Sequence, residues 1–174
     1  SPHIIYDSLA SLKKELVKKI AWVKKEIASL NTNPLVLRVS VLSSDLVVDP
    51  VSDVAEAVLR FELYNQSDSA VREIGPIYLY TAKGWDISHS DRACNSDKNA
   101  KDPYSLRHII APDFSSIPPK DMLFFDVFMK KSVWASWLKG VDRANTYSHS
   151  GRISIVVNAN AKKYDLFHDL KIDF

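Results

Sequence analysis

Apolar residues in the first thirty positions recur with the period of an α-helix. Eight of them are spaced three or four apart, and at 100° per residue they fall within a stripe about 80° wide. The eight are Ile5, Leu9, Leu12, Leu16, Ile20, Val23, Ile27 and Leu30. Because Pro34 disfavours helical backbone at Asn33, the pattern predicts one long amphipathic helix over residues 1–32.

The apolar stripe repeats every eleven residues, as in Ile5, Leu16 and Ile27. This period keeps a stripe nearly straight along a helix, whereas a heptad repeat winds it left-handed. A heptad zipper is therefore not the first interpretation. Lysines border the stripe and a tryptophan lies toward the polar side, so the candidate binding residues of the helix are Lys13, Lys24 and Trp22.

Three interpretations of the helix stay open. It packs on the protein's own β domain, it pairs with a second copy or a partner helix, or its lysines bind anionic lipid or nucleic acid. Burying an apolar side chain gains about 1.5–3 kcal/mol, so eight of them are not expected to stay in water. Docking on its own domain or on a straight helical partner is the leading interpretation.

From residue 35 onward the apolar period changes from 3.6 to two, which is typical of β-strands. The pattern predicts about seven strands, at 35–42, 57–64, 77–80, 106–110, 122–129, 152–158 and 164–174. A short helical crossover is expected at 132–140. Since strands and helices do not alternate, we expect a mainly β protein in which residues 33–174 form an antiparallel β-sandwich.

Three stretches carry a resemblance to a known class of module. Residues 61–68 end a strand in an Asn-x-Ser turn and lead into 70–79, a proline-led turn opens 117–125, and the chain ends in a strand pair. In these features the chain resembles immunoglobulin-like or fibronectin-like sandwich modules. The paired cysteines and the tryptophan of antibody domains are absent. The resemblance implies a sandwich fold, often set beside a membrane after an anchor and a helical stalk.

Composition and charge narrow the function classes. With 46% hydrophobic and 25% charged residues, the 174-residue chain has the composition of a soluble folded domain with an appendage. Cys94 is its one cysteine, which excludes an internal disulfide and a multi-cysteine zinc site. The first thirty residues hold six lysines against three acids, and the rest holds 17 basic against 18 acidic residues. The start at Ser1-Pro2 leaves open whether a leader or membrane anchor preceded it.

No catalytic motif is recognisable in the sequence. The five histidines show no metal-ligand spacing, and nucleophile-elbow, Walker and Gly-x-Gly-x-x-Gly patterns are absent. Cys94 with His89 or His108 would need a base positioned beside the thiol, which nothing in the sequence indicates. We therefore expect a protein that is not an enzyme and that uses no cofactor.

One polar segment, residues 83–103, is the best candidate for a binding loop in the β domain. Asp86, His89 and Asp91 could converge on a divalent ion, although a solvated loop rich in turn-forming residues is the favoured alternative. Trp85 is either a recognition anchor beside this loop or a buried corner tryptophan. Asn65-Gln-Ser67 also matches the glycosylation acceptor pattern, although so short a pattern also occurs by chance.

These observations predict a non-enzymatic interaction module. Loops 83–105 and 141–151 would contact a protein or small ligand, while the helix packs, oligomerises or acts as a stalk. The alternative is a membrane-active protein of the pore-former type that places its basic helix on an anionic bilayer. Nucleic-acid binding is not expected, because the β domain has balanced charge and no basic–aromatic ladder.

Overall fold

The computed structural model describes residues 2–30, 33–48, 50–90, 92–97, 105–135 and 147–174. They divide into a helical unit, Ser1–Pro34, and a β unit, Leu35–Phe174. The helical unit contains one helix, α1, over Pro2–Leu30. This confirms the long N-terminal helix that the eleven-residue stripe predicts.

The β unit contains ten strands within the described residues, and every pairing between them is antiparallel. The strands are β1 (Leu35–Val47), β2 (Ser52–Asn65), β3 (Ile77–Ala82), β4 (Asp86–His89), β5 (Arg92–Ala93), β6 (Asn95–Asp97), β7 (Ser105–Ile110), β8 (Met122–Ala135), β9 (Ser148–Ala159) and β10 (Lys162–Asp173).

The strands form a β-sandwich of two sheets. Sheet I has the order β1-β2-β8-β4, and sheet II has the order β10-β9-β3-β7. Each four-stranded sheet is extended at one edge by a short fifth strand, β5 in sheet I and β6 in sheet II. The mainly β, antiparallel sandwich with a preceding helix is thus confirmed.

The core follows from the period-two pattern, because alternate residues of a strand face the opposite sheet. In β2 the inward positions are Ala55, Ala57, Leu59, Phe61 and Leu63, which are all almost completely buried. The ring of Phe61 stacks on that of Phe125 in β8, with centroids 5.1 Å apart and an angle of 3° between the planes. Burial of these side chains supplies the main driving force for joining the sheets.

A hydrogen bond joins the two sheets at one edge of the sandwich, and the chain itself crosses between them at the other. Ser44 in β1 donates its hydroxyl to the carbonyl of Asp173 in β10 over 2.7 Å, joining the two sheets at one edge. At the other edge the chain passes from β5 in sheet I to β6 in sheet II through Cys94. The Cys94 amide donates to the Ile87 carbonyl over 3.0 Å.

The structure differs from the sequence-based expectation in two segments. The segment 83–103, expected as a loop, contains strands β4, β5 and β6. The helical crossover expected at 132–140 does not begin at Ser132, because β8 continues to Ala135. There its backbone pairs with the start of β2, as in Val54 with Ser132. Residues 136–146, which hold the rest of that crossover and much of the expected loop 141–151, lie outside the described residues.

Candidate interaction surfaces

The apolar stripe of α1 is open to solvent in the helical unit. Its five members with described side chains, Leu9, Leu12, Leu16, Ile20 and Val23, are each 45–62% exposed. Lys19 and Lys24 border Ile20 and Val23 and form with them a shallow apolar groove on the helix. The helix therefore presents a narrow apolar surface edged by cations.

The two flanks of the stripe carry different charges. At 100° per residue, Lys13 and Lys24 lie about 60–80° from the stripe centre on one side. Lys19 lies about 60° away on the other side, where Glu15 follows at about 100°. The sequence Lys-Lys-Glu occurs at 13–15 and again at 24–26, so the charges share the eleven-residue repeat. Trp22 is exposed but lies about 120° from the stripe centre, outside this surface.

Trp85 is a core residue, with 2% of its surface exposed. Its indole stacks on Phe174 at 5.9 Å between centroids and meets the edge of His149 at 5.4 Å. The ammonium of Lys131 lies 5.8 Å from the centre of the indole ring. Trp85 is therefore the buried corner tryptophan of the two alternatives, and its ring is not an exposed recognition anchor.

Asp86 and His89 do not converge on a common point. Asp86 is exposed opposite Lys130, whereas the His89 ring meets Phe125 edge-on at 6.0 Å. His89 also donates from Nδ1 to the Asp126 carbonyl over 2.8 Å. Residues three apart in a strand face opposite sides of the sheet, which explains the separation. Asp91, the third candidate ligand, lies outside the described residues, and no metal-binding cluster of His, Cys, Asp or Glu occurs within them.

A small cavity lies between the sheets beside Trp85. Its volume is about 20 Å³, and Thr81, Met129, His149 and Ile172 are among the residues that line it. Such a volume holds about one water molecule, far less than the roughly 300–1,000 Å³ of ligand pockets. The Trp85 Nε1 is buried without a hydrogen-bond partner in the described part of the chain. The cavity is therefore too small for a substrate and has room for about one water molecule.

The surroundings of His108 and His149 favour the neutral form of each ring. Burial lowers the pKa of His108, and the nearby charge of Asp86 partly opposes this effect. Burial also lowers the pKa of His149, and the positive charge of Lys131 lowers it further. Both rings are consequently uncharged at neutral pH.

Cys94 is half-buried in an environment that favours the protonated thiol. Burial raises the pKa of its thiol, and a weaker backbone hydrogen bond at His89 lowers it. The His89 ring is engaged with the Asp126 carbonyl and with Ser90, whose hydroxyl lies 3.3 Å from Nε2. A protonated thiol is a poor nucleophile, so the raised pKa disfavours attack by this sulfur.

Asn65 forms a buried polar corner at the end of β2. Its amide nitrogen donates to the carbonyls of Ser69, Ile117 and Pro118 over 2.8–3.2 Å. Its amide oxygen accepts hydrogen bonds from both the backbone and the hydroxyl of Ser67. In the folded chain the Asn65 nitrogen is thus committed to structure, although it lies in a glycosylation acceptor pattern.

The outer face of sheet I carries an apolar surface that the sequence reasoning missed. Val36, Tyr64 and Met122 are aligned directly across β1, β2 and β8, and Phe124 lies in the next row of the same face. We call these four residues the sheet I patch; each is 38–49% exposed. The one signal for it is that Met122, Leu123, Phe124 and Phe125 are all apolar, so β8 has apolar residues on both faces.

Ion pairs border the sheet I patch. The Arg60 guanidinium donates to both carboxylate oxygens of Asp126 over 2.9 and 3.0 Å, and its carbon lies 4.0 Å from the centre of the Phe124 ring. The hydrogen bonds from Arg60 lower the pKa of Asp126. Beside this pair, Arg38 lies 4.0 Å from a carboxylate oxygen of Glu62. The charges of these four residues therefore balance within the chain.

Within the described residues, no helix is both long enough and apolar enough to span a bilayer. No family model and no curated protein matches the chain.

Several solved structures show weak likenesses. A GH20 exo-β-N-acetylglucosaminidase from Vibrio harveyi matches at 9% identity and a TM-score of 0.37, over 77% of this chain and 17% of that one. A putative late embryogenesis abundant protein matches at 15% and 0.39, over 97% and 86%. AvmM, which catalyses macrocyclization in alchivemycin A biosynthesis, matches at 11% and 0.39, over 79% and 87%. The chain spans about one sixth of the glucosaminidase. At these TM-scores, the likenesses carry no argument about function.

Proposed function

We propose that the protein is a non-enzymatic interaction module that self-associates through the apolar stripe of α1. The observation that carries the proposal is the stripe itself, a straight row of half-exposed apolar side chains on a basic helix. The stripe of one copy would pack against the same stripe of a second copy. The further assignment of the sandwich to the immunoglobulin-like or fibronectin-like type belongs to this proposal and is supported by the terminal hairpin β9–β10.

The energetic reason is that the helix needs a surface to bury. Leu9, Leu12 and Leu16 alone would contribute about 1.5–3 kcal/mol each on full burial. An isolated helix in water is marginal even when its sequence favours helix, and most helical stability in proteins comes from packing of an apolar face. Pairing two stripes satisfies this need without any change in the sandwich.

The charges on the flanks favour a parallel pair. In a parallel two-helix pair, one flank of each helix lies beside the opposite flank of its partner. The basic flank, with Lys13 and Lys24, would then lie beside the flank that carries Glu15. In an antiparallel pair, Lys13 and Lys24 would face the same lysines of the second helix. Lys19 lies on the same flank as Glu15, so it reduces the charge complementarity of the parallel pair but does not reverse the preference for it.

The eleven-residue repeat sets the form of the pair. Eleven residues make nearly three turns at 3.67 residues per turn, so two such stripes stay in contact with little or slightly right-handed supercoiling. The pair would differ in this respect from a left-handed leucine zipper.

An anionic membrane surface is the second candidate occupant, because Lys13, Lys19 and Lys24 border the stripe and could reach lipid phosphates. Two features favour a helical partner over a bilayer. Glu15 would be repelled by anionic lipid, and a stripe about 80° wide is narrow for a helix that lies in a membrane interface.

The test is the mass of the full chain by light scattering after size exclusion, over a range of concentrations. The expected result is a dimer for the natural sequence and a monomer for Leu12→Ser/Leu16→Ser. Trp22→Ala, an exposed position on the same helix but off the stripe, is the matched control and should stay dimeric. A natural chain that is monomeric at hundreds of micromolar, or a stripe variant that stays dimeric, would overturn the proposal.

The orientation has its own test. In a Cys94→Ser background, Leu9→Cys places a thiol on the stripe near one end of α1. A parallel pair brings two such thiols together, so mild oxidation should give a disulfide-linked dimer. An antiparallel pair keeps them apart and would give none. Flotation with anionic vesicles at low salt tests the second candidate, and stripe-dependent binding by a monomeric chain would replace self-association with membrane binding.

A further inference from the structure

We infer that the sheet I patch is a second contact surface, at which the β units of two copies meet once their helices have paired. This inference rests on the proposed self-association through α1. It adds an interface on the sandwich, formed by Val36, Tyr64, Met122 and Phe124 from each copy.

The composition of the patch is that of a protein interface. Soluble domains expose few clusters of large apolar side chains, and such clusters often mark binding sites. Tyrosine, phenylalanine, methionine and arginine are enriched in protein interfaces. Tyr64, Met122 and Phe124 supply three of these types, and the Arg60 side chain stacked on Phe124 supplies the fourth.

The charges in the row beside the patch give no preference for a strongly charged occupant. Arg60 is paired with Asp126 and Arg38 lies near Glu62, so these four charges balance and form no basic cluster that would attract nucleic acid or anionic lipid. An identical surface is a suitable occupant, because an apolar centre with internally neutralised charges is complementary to a copy of itself. Two-fold symmetric contacts of this kind are the commonest in homo-oligomers.

The position of the patch in the chain connects it to the helix. The helix ends at Leu30, and Val36 lies in the second position of β1, six residues later. Six residues span at most about 20 Å when fully extended. In a parallel helix pair the two C-terminal ends lie side by side, so each copy of Val36 is tethered to the same end of the pair by a short segment. Short links of this kind give effective concentrations in the millimolar range.

The size of the patch fits a contact that depends on this link. A fully exposed aromatic side chain offers about 150–250 Å², so four large side chains at 38–49% exposure offer on the order of 350 Å². Stable protein interfaces bury about 800 Å² on each partner. The patch alone is too small to hold a dimer, but it is large enough to strengthen one that the helices have already formed.

The outer face of sheet II provides a comparison surface in the same molecule. In the described part of that face, Phe167 is exposed, with the Arg152 guanidinium 4.1 Å from its ring centre, but it has no exposed apolar neighbours of comparable size. Its strand, β10, carries Asp165, Asp169 and Lys171 at the adjoining outward positions. Phe167 therefore serves as a matched control for an exposed aromatic that should not lie in the contact.

The experiment is chemical cross-linking of the full chain with a short bismaleimide in a Cys94→Ser background. Met122→Cys should give a covalent dimer, while Phe167→Cys should give at least tenfold less. Adding Leu12→Ser/Leu16→Ser should abolish the cross-link, because the patch needs the helix pair. Equal cross-linking at the two positions would mean random collision of linked domains and would overturn the inference.

A second measurement separates the inference from the proposal on which it rests. Tyr64→Ser/Met122→Ser should raise the dimer dissociation constant at least tenfold, while Phe167→Ser leaves it unchanged; circular dichroism checks that each variant is folded. If Tyr64→Ser/Met122→Ser leaves the dissociation constant unchanged while Leu12→Ser/Leu16→Ser is monomeric, the patch contact is wrong and the helix pair is retained. A monomeric natural chain that shows no Met122→Cys cross-link would remove both.

Discussion

The hydroxyl oxygen of Thr81 and the Nε2 of His108 lie 2.8 Å apart inside the sandwich. Thr81 is in β3 and His108 is in β7, the neighbouring strand of sheet II, and both side chains are buried. A buried imidazole costs little only when its nitrogens are hydrogen-bonded. This contact therefore explains how a polar ring is accommodated among apolar side chains.

Thr81→Val should destabilise the fold, because it removes the hydroxyl partner of His108 while nearly conserving volume. Leaving a buried polar group without its partner costs about 1–3 kcal/mol, and the free energy of unfolding should fall by that amount. Urea denaturation at pH 7.5 measures it. Thr81→Ser, which keeps the hydroxyl, should restore part of the loss; equal losses in both variants would show that the methyl group matters and the hydrogen bond does not.

The protein should lose stability as the pH falls below about 6.5. Burial lowers the pKa of both His108 and His149 in the folded state, so the unfolded chain binds protons first. The contribution of these rings is complete above the unfolded pKa of about 6.5 and is lost as the pH falls toward the folded values. Urea midpoints between pH 8 and pH 5 test this, and His149→Gln should flatten the profile. A midpoint that is constant over this range would contradict the prediction.

The parts of the fold that the sequence predicts are those with a long local period. The stripe of α1 and the alternation in β2 each extend over a dozen residues or more, and the alternation in β9 extends over seven, so local spacing is sufficient. β4, β5 and β6 have four, two and three residues, in a segment rich in Ser, Asp and Asn. Their strand character comes from pairing with distant residues, as in Ile87 with Met129, which no local pattern reveals.

The candidate sites divide in the same way. Lys13 and Lys24 could be placed beside the stripe from spacing alone, since one helix determines their positions. The sheet I patch requires knowing which face of β8 is buried, and Leu123 and Phe124 are both apolar. The sequence alone does not show whether Trp85 is buried, because its burial depends on Phe174 and His149, which follow it by more than sixty residues.

Asn65→Ala should be among the most destabilising polar substitutions in the chain. The amide joins the end of β2 to the backbone at Ser69, Ile117 and Pro118, and its loss leaves the buried Ile117 carbonyl without this donor. With several hydrogen bonds lost at about 1 kcal/mol each, the free energy of unfolding should fall by about 3 kcal/mol. Thermal and urea denaturation measure the change. Ser67→Ala removes one side-chain donor to Asn65 and should cost about 1 kcal/mol. If Ser67→Ala costs as much as Asn65→Ala, the stability comes from the turn at Ser67 and not from the hydrogen bonds of the Asn65 nitrogen.

Gly84→Ala should destabilise the β unit, and Gly75→Ala should not. Gly84 has a φ of +97°, a conformation that residues with a Cβ rarely adopt, and an added Cβ would lie 3.1 Å from the Cε of Lys131. Backbone strain of this kind costs about 1–3 kcal/mol, and the displaced Lys131 would also leave the Trp85 ring. At Gly75 the nearest atom to an added Cβ is the Asn158 carbonyl oxygen at 3.9 Å, an ordinary contact. Urea denaturation of the two variants compares them directly, and similar stabilities would show that the turn before Trp85 tolerates a side chain.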